Sequence, residues 1–212
     1  MDNLGYPDLH AHIAALERKG LLIRVQRPIN KDTEMHPLVR WQFRGGIPES
    51  ERKAFLFENV TDGTGRRYDI PVAVGILASS REIYGVGIGC DVANIQQQWE
   101  RAEQHPLPPV FVDNPACQEI VVQGDELNEP GKGVDALPIP ISTPGFDNAP
   151  YASCSMFITK DPDTGLQNIG NYRAMVKSRT RMGMNPEIEL NQGIHEHFLK
   201  YKARGEKMPV AL

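Results

Sequence analysis

The chain has 212 residues, 40% of them hydrophobic and 24% charged, and carries a formal net charge of −4 at pH 7. That composition suits one large globular domain or two small ones, and its acidic balance argues against an electrostatic nucleic-acid binder. No run of about 18 apolar residues is present to span a membrane, and the first residues lack the basic and apolar regions of a signal peptide. The three cysteines, Cys90, Cys117 and Cys154, are odd in number and widely spaced, so they read as reduced thiols of a cytoplasmic protein and not as a disulfide framework or zinc site. Seventeen prolines and nineteen glycines predict many loops.

Residues 8–19 read as a helix, with Leu9, Ile13 and Leu16 on one face, Asp8 as its N-cap and Gly20 as its stop. Residues 21–25 follow as a strand, and 33–44 as a second helix with Pro37 in its first turn. Strands are predicted at 55–60 and, buried, at 71–77, with a turn at 62–65 between them. Ser80 opens a third helix, and 93–104 form a fourth. Pro106-Leu-Pro-Pro109 marks a composition shift that reads as a domain edge. Beyond it, 117–122 read as a strand and 137–141 as extended chain, since each proline disfavours helix before it. Residues 151–160 and 168–177 read as two strands joined by the turn Asp161-Pro-Asp-Thr-Gly165, and 187–204 as an amphipathic helix stopped by Gly205. Pro209-Val-Ala-Leu212 reads as the opening of a strand, which carries the expectation of a chain that continues.

The most informative stretch runs from Asp161 to Arg173. It sets an amide, Asn168, and a guanidinium, Arg173, five residues apart among small residues. On a regular strand such positions face opposite ways. Either the strand bulges near Gly170, or the two side chains serve different neighbours. Taken alone, Asn168 could satisfy turn backbone and Arg173 could be a surface ion-pair residue. Elsewhere, Gly85-Val-Gly-Ile-Gly89 has the wrong spacing and context for a dinucleotide fingerprint, His10 and His12 read as solvated, and Cys154 reads as a small core residue. Ser142 and Thr143 are pocket-lining candidates or ordinary loop hydroxyls.

Several motifs in order resemble the UbiD-type family of decarboxylases, which act on aromatic and α,β-unsaturated acids with prenylated FMN. They are Leu137-Pro-Ile-Pro140, Ala149-Pro-Tyr151, Thr159-Lys-Asp-Pro-Asp-Thr-Gly165, Asn168-Ile-Gly-Asn-Tyr-Arg173 and Ala203-Arg-Gly-Glu-Lys-Met-Pro-Val-Ala211. Weaker likeness covers Leu16-Glu-Arg-Lys-Gly-Leu21, Arg27-Pro28, Leu56-Phe-Glu-Asn-Val60 and Ile70-Pro-Val72. The resemblance implies a mixed α/β (α+β) fold: an N-terminal α/β domain over 1–110, then, over 111–212, the first part of a flavin-reductase-like split β-barrel. Family members are far longer.

By the same resemblance, Asn168 gives its carbonyl oxygen to a manganese-type cation that bridges to the flavin phosphate. Gly170, Asn171 and Tyr172 lay backbone against the cofactor. Arg173 lies near the flavin and the substrate carboxylate, paired with a glutamate. K+ is implied as a further ion. The family's metal-ligating histidine has no direct counterpart: the position falls on Asn191, with His195 as the alternative. His195 and His197 lie about 200° apart on a helix, so one ion does not take both. Asn191 could equally cap a helix. The remaining ligand and the catalytic glutamates fall outside this chain, and Glu187, Glu189 and Glu196 read as complements to a helix dipole.

The implied function is reversible non-oxidative decarboxylation, with a small carboxylic acid as substrate, a flavin prenyltransferase as cofactor source and a homo-oligomeric assembly. An alternative is a non-catalytic flavin-binding subunit that completes a site with another chain, because an unfinished barrel exposes a strand edge. A third is an ordinary FMN-dependent reductase barrel.

Overall fold

The computed structural model describes residues 6–187 and 189–212. Its chain divides into two units, Met1–Gln123 and Gly124–Leu212.

In the first unit Asp8 caps helix α1 (Leu9–Arg18) by accepting the Ala11 N–H at 2.7 Å. The buried face is His12, Ala15 and Leu16. This corrects the expected face, since Leu9 is exposed and Ile13 half-buried. A histidine concealed the stripe. His12 can be buried because its Nε2 bonds the Ile76 carbonyl at 2.8 Å, so it is not the solvated residue expected.

Strand β1 (Leu22–Val25) pairs in parallel with β3 (Ala54–Phe57), which pairs antiparallel with β6 (Val72–Val74). Between them in sequence, β2 (Ile29–Asn30) and β4 (Val60–Thr61) run parallel, and β5 (Arg67–Tyr68) closes a second small sheet. The expected strand at 55–60 is therefore two strands serving two sheets. The expected strand at 71–77 is shorter and only half-buried, because Gly75 turns the chain with φ of 76°.

All four residues of β3 are buried. Phe55 and Phe57 pack with Met35 and Val39 of α2 (Met35–Arg44). Ala54 packs with Ala15 and Leu16, and with Ile83 and Val86 of α3 (Arg81–Ile88). Ser80 caps α3, and Gly89, left-handed at φ 81°, ends it. The glycines at 85–89 thus belong to a helix and its stop. Helix α4 (Ile95–Gln104) follows. The expected strand at 117–122 is absent: a short 3-10 turn (Ala116–Gln118) leads into irregular chain with Ile120 83% exposed, and no described residue pairs with it in a ladder.

In the second unit β7 (Tyr151–Ala152), β10 (Ala174–Ser178) and β11 (Arg181–Met184) form one antiparallel sheet. β8 (Met156–Lys160) and β9 (Gln167–Asn171) form a hairpin. Ala211 adds a single bridge to Ile158. The architecture is mixed α/β with small sheets, and no sheet closes into a barrel among the described residues. Both long strands expected here are interrupted, at 153–155 and 172–173, because the chain changes sheet at each point. Cys154, in the first break, is exposed and not a core residue. Strand β11 follows directly, over residues that no predicted element covered.

The hairpin turn is closed by Asp161 N–H to the Leu166 carbonyl at 2.8 Å, with Gly165 at φ 75°. Helix α5 (Gly193–Ala203) packs on this hairpin, with Ile194 against Phe157 and Ala174. It begins six residues later than expected, at Gly193, after the turn 189–191. Its far end is tied to the hairpin turn: Lys200 Nζ reaches Asp161 at 2.6 Å and Asp163 at 3.2 Å, and Arg204 also pairs with Asp163. No helix among the described residues is long and apolar enough to cross a membrane.

Phe57, fully buried, is the natural test of the first unit. Phe57→Ala should destabilise it by about 3–5 kcal/mol in denaturant unfolding, from lost burial plus the cavity. In the second unit, the Lys200 ammonium together with the Asp163 and Thr164 N–H groups lowers the Asp161 carboxyl from 3.8 to about 2. A depressed carboxylate stabilises the fold above its unfolded pKa and loses that contribution as pH falls through the folded one. The α5 attachment should therefore weaken between about pH 4 and pH 2. Carbon-detected NMR titration should place Asp161 near 2, and Lys200→Met should move it upward, short of 3.8 because the two N–H donors remain.

Candidate functional site

The register of β8 against β9 runs without a shift from Met156↔Asn171 through Thr159↔Asn168, so the strand does not bulge at Gly170. Instead the chain leaves this ladder at Tyr172 and Arg173 and enters β10, which pairs with other strands. Asn168 and Arg173 thus serve different neighbours.

Asn168 shares the inner face of the hairpin with Thr159, directly opposite it. That face receives the first turns of α5. Gly193, the first residue of the helix, lies so close that a Cβ there would meet Asn168 Oδ1 at 2.5 Å. The amide is held at the helix start, yet its Nδ2 is buried with no hydrogen-bond partner. Rotating the amide by half a turn exchanges its nitrogen and oxygen, so either end can take the open position. Such a group in a folded protein points to a missing ligand or water.

His197, one turn on from Ile194, is buried and its Nδ1 bonds Thr159 Oγ1 at 2.9 Å. It is therefore a packed residue that fixes the helix to the hairpin. His195 is half-buried and belongs to the same first turns. Asn191 is exposed, in the turn before α5, with a left-handed φ of 49°, a conformation asparagine tolerates well. It is not the helix cap; Gln192 holds that position, and its Oε1 accepts the Glu187 N–H at 2.8 Å.

Gly170 faces Phe157 across the ladder. The space above it is filled by the Tyr172 ring, whose atoms would stand 2.3 Å from a Cβ at position 170. Tyr172 also meets Phe157 edge-on at 5.9 Å. Asn171 is exposed on the opposite face.

Arg173 opens on a cleft of about 510 Å³ lined by Tyr151, Asn171, Tyr172, Met175, Lys177 and Met184 among others. Its guanidinium lies over the Tyr151 ring at 4.3 Å. One Nη donates to both oxygens of Asp147, at 2.9 and 2.8 Å. The other Nη and Nε make no hydrogen bond among the described residues. Asp147 is itself set by the Thr143 N–H at 2.9 Å. Burial alone would push the Asp147 carboxyl up; Arg173 and Thr143 outweigh it and hold the group below its usual range. Ser142, beside Thr143, has a buried hydroxyl without a partner.

The donor chemistry partly fits a cation-and-phosphate anchor. Asn168 is a neutral oxygen donor with an open valence, which suits a site shared with a phosphate dianion. No group of three or more His, Cys, Asp or Glu gathers for a metal among the described residues. Among the described residues one donor is thus in place, without a complete shell. Asp147, Thr159 and Gly193 escaped sequence reading. Asp147 stands alone in a proline- and glycine-flanked loop, and the other two matter only through contacts with distant residues.

Two family models match the chain. Residues 13–103 match the 3-octaprenyl-4-hydroxybenzoate carboxy-lyase N-terminal domain, and residues 110–212 match the Rift-related domain of the same enzyme. The chain belongs to the UbiD family. An uncharacterized protein of Aquifex aeolicus is 29% identical over 224 residues, covering 98% of this chain and 43% of that protein. HmfF from Pelotomaculum thermopropionicum, a UbiD-class enzyme solved with FMN, is 26% identical with a TM-score of 0.77, over 95% of this chain and 41% of its own. A 3,4-dihydroxybenzoic acid decarboxylase from Enterobacter cloacae is 27% identical with a TM-score of 0.77, over 97% and 42%. The chain thus spans about two fifths of the length of these relatives.

Thr159→Val should strip His197 of its buried partner at nearly constant volume. The expected loss is about 1–3 kcal/mol in denaturant unfolding, with Thr159→Ser retaining most of the stability.

Proposed function

We propose that this chain forms the flavin-anchoring part of a non-oxidative, reversible decarboxylase acting on an aromatic or α,β-unsaturated acid. The observation that carries the reading is the buried Asn168 amide with an open valence, set five residues before an arginine that opens on a separate cleft. The family supports a carboxy-lyase, and the flavin in HmfF supports the cofactor class.

When bound, prenylated FMN supplies the electron sink for breaking the carbon–carbon bond. The protein's part is binding and orientation. Asn168 offers its carbonyl oxygen to a divalent cation of the manganese type, with His195 or Asn191 as candidate second donors and K+ as a further ion. Backbone at Gly170, Asn171 and Tyr172 lies against the cofactor. Arg173 holds the substrate carboxylate with the guanidinium edge that Asp147 leaves open, and the Tyr151 ring keeps the guanidinium plane in place. Its permanent charge orients the carboxylate without taking part in proton transfer. The proposed domain boundary lies near residue 110, the cofactor comes from a flavin prenyltransferase, and the assembly is a cytoplasmic homo-oligomer.

A second reading is a non-catalytic subunit that completes a site with another chain. It is favoured by apolar residues left open at 110–121, where Val110, Phe111 and Ile120 are 85%, 94% and 83% exposed.

The chain should be co-expressed with a flavin prenyltransferase and examined by absorbance and native mass spectrometry. Prenylated flavin with a divalent cation is expected in the wild type and should be lost in Asn168→Ala. Unmodified FMN alone would indicate a reductase-type site, and a folded protein with neither group would overturn the assignment. Cofactor without turnover of any acid would favour the non-catalytic subunit.

A further inference from the structure

Arg173 is not the sole cation in its cleft. Lys177, in β10 and four residues further along the chain, lines the same cleft. The register of β10 against β11 shifts between Val176 and Ser178, so Lys177 stands in a bulge, and it lines the cleft together with Arg173 and Met175. Arg173 already shares its charge with Asp147. Lys177 has no carboxylate partner among the described residues.

The course of the Lys177 side chain is set by Gly183. In the β10–β11 ladder Gly183 stands opposite Met175. Lys177 lies over it: a Cβ on Gly183 would meet Lys177 Cε at 2.9 Å and Cγ at 3.5 Å. The missing side chain gives the lysine stem a bed, and the stem crosses it toward Met175, hence toward Arg173. Four residues of chain set the backbones of the two cations at most about 13 Å apart, and this fold-back shortens the gap between their charged ends.

We propose that Lys177 is a second anion-binding point in this cleft, and that the acid it takes carries a second anionic group on the side away from the carboxylate held by Arg173. Lys177 determines which acids fit; Arg173 determines that an acid fits at all. The inference rests on the reading of Arg173 as the carboxylate holder. The same chemistry could instead come from the phosphate of the flavin, and the test separates the two.

The full chain is titrated with benzoate and with terephthalate, a single ring with one carboxylate or two, followed by NMR shifts of the cleft residues. Wild type should bind terephthalate about tenfold more tightly, the scale of one charge-assisted contact. Lys177→Met should bring terephthalate down to the level of benzoate, and Lys177→Arg should restore the preference. Gly183→Ala, which crowds the lysine stem, should weaken terephthalate alone. Arg173→Gln should weaken both acids together, so failure of the carboxylate reading shows itself separately. Equal binding of the two acids by wild type, a preference that survives Lys177→Met, or no binding of either acid overturns the proposal. FMN and riboflavin are titrated in parallel. A phosphate preference that depends on Lys177, with terephthalate unaffected, assigns the lysine to the cofactor and also overturns it. Loss of prenylated flavin in the co-expression experiment would leave these titrations unchanged.

Discussion

The second unit is organised by the seating of α5 on the β8–β9 hairpin. Three contacts of different kinds hold it. Ile194 packs against Phe157, the His197 imidazole bonds the Thr159 hydroxyl in a buried position, and Lys200 and Arg204 clasp the aspartates of the hairpin turn. The apolar and buried polar contacts resist salt, whereas the exposed Arg204–Asp163 pair is screened by it and the part-buried Lys200–Asp161 pair less so. With the helix fixed in this way, its glycine start has a single position relative to the strand, and the Asn168 amide is confined. Remove the seating, and the amide regains water and the freedom to turn.

The second constraint is the change of sheet at Tyr172 and Arg173. A continuous strand would have kept Asn168 and Arg173 on one ladder with a fixed separation. Because β9 pairs with β8 while β10 pairs with β7 and β11, the inner amide sits on one small sheet and the cleft-facing guanidinium on the two-residue link to the next. Each side chain is packed by its own neighbours: the helix start for one, Tyr151 and Asp147 for the other. This division lets one short segment serve two chemical environments.

Much of this was legible in the residues. The caps at Asp8 and Ser80, the Asp161–Gly165 turn and the two core helices follow from local rules, and the ordered motifs lead to the family. What was not legible depended on partners far away in sequence. His12 faces inward only because the Ile76 carbonyl awaits it, 64 residues on. The stretch 117–122 has strand-forming residues but no ladder partner among the described residues, and β-propensity without a partner does not make a strand. The breaks at 153–155 and 172–173 carry no proline or glycine to announce them. Asp147 becomes a site residue only when the chain brings Arg173 to it, 26 residues later.

The Tyr172 ring lying over Gly170 carries an evolutionary consequence. The two positions share one volume, so neither can drift independently. A side chain gained at 170 requires the ring at 172 to move or shrink, and a smaller residue at 172 leaves a void beside Phe157 that a larger residue at 170 could fill. Across relatives, these two sites should therefore vary as a pair, exchanging bulk between them while their summed volume stays nearly constant.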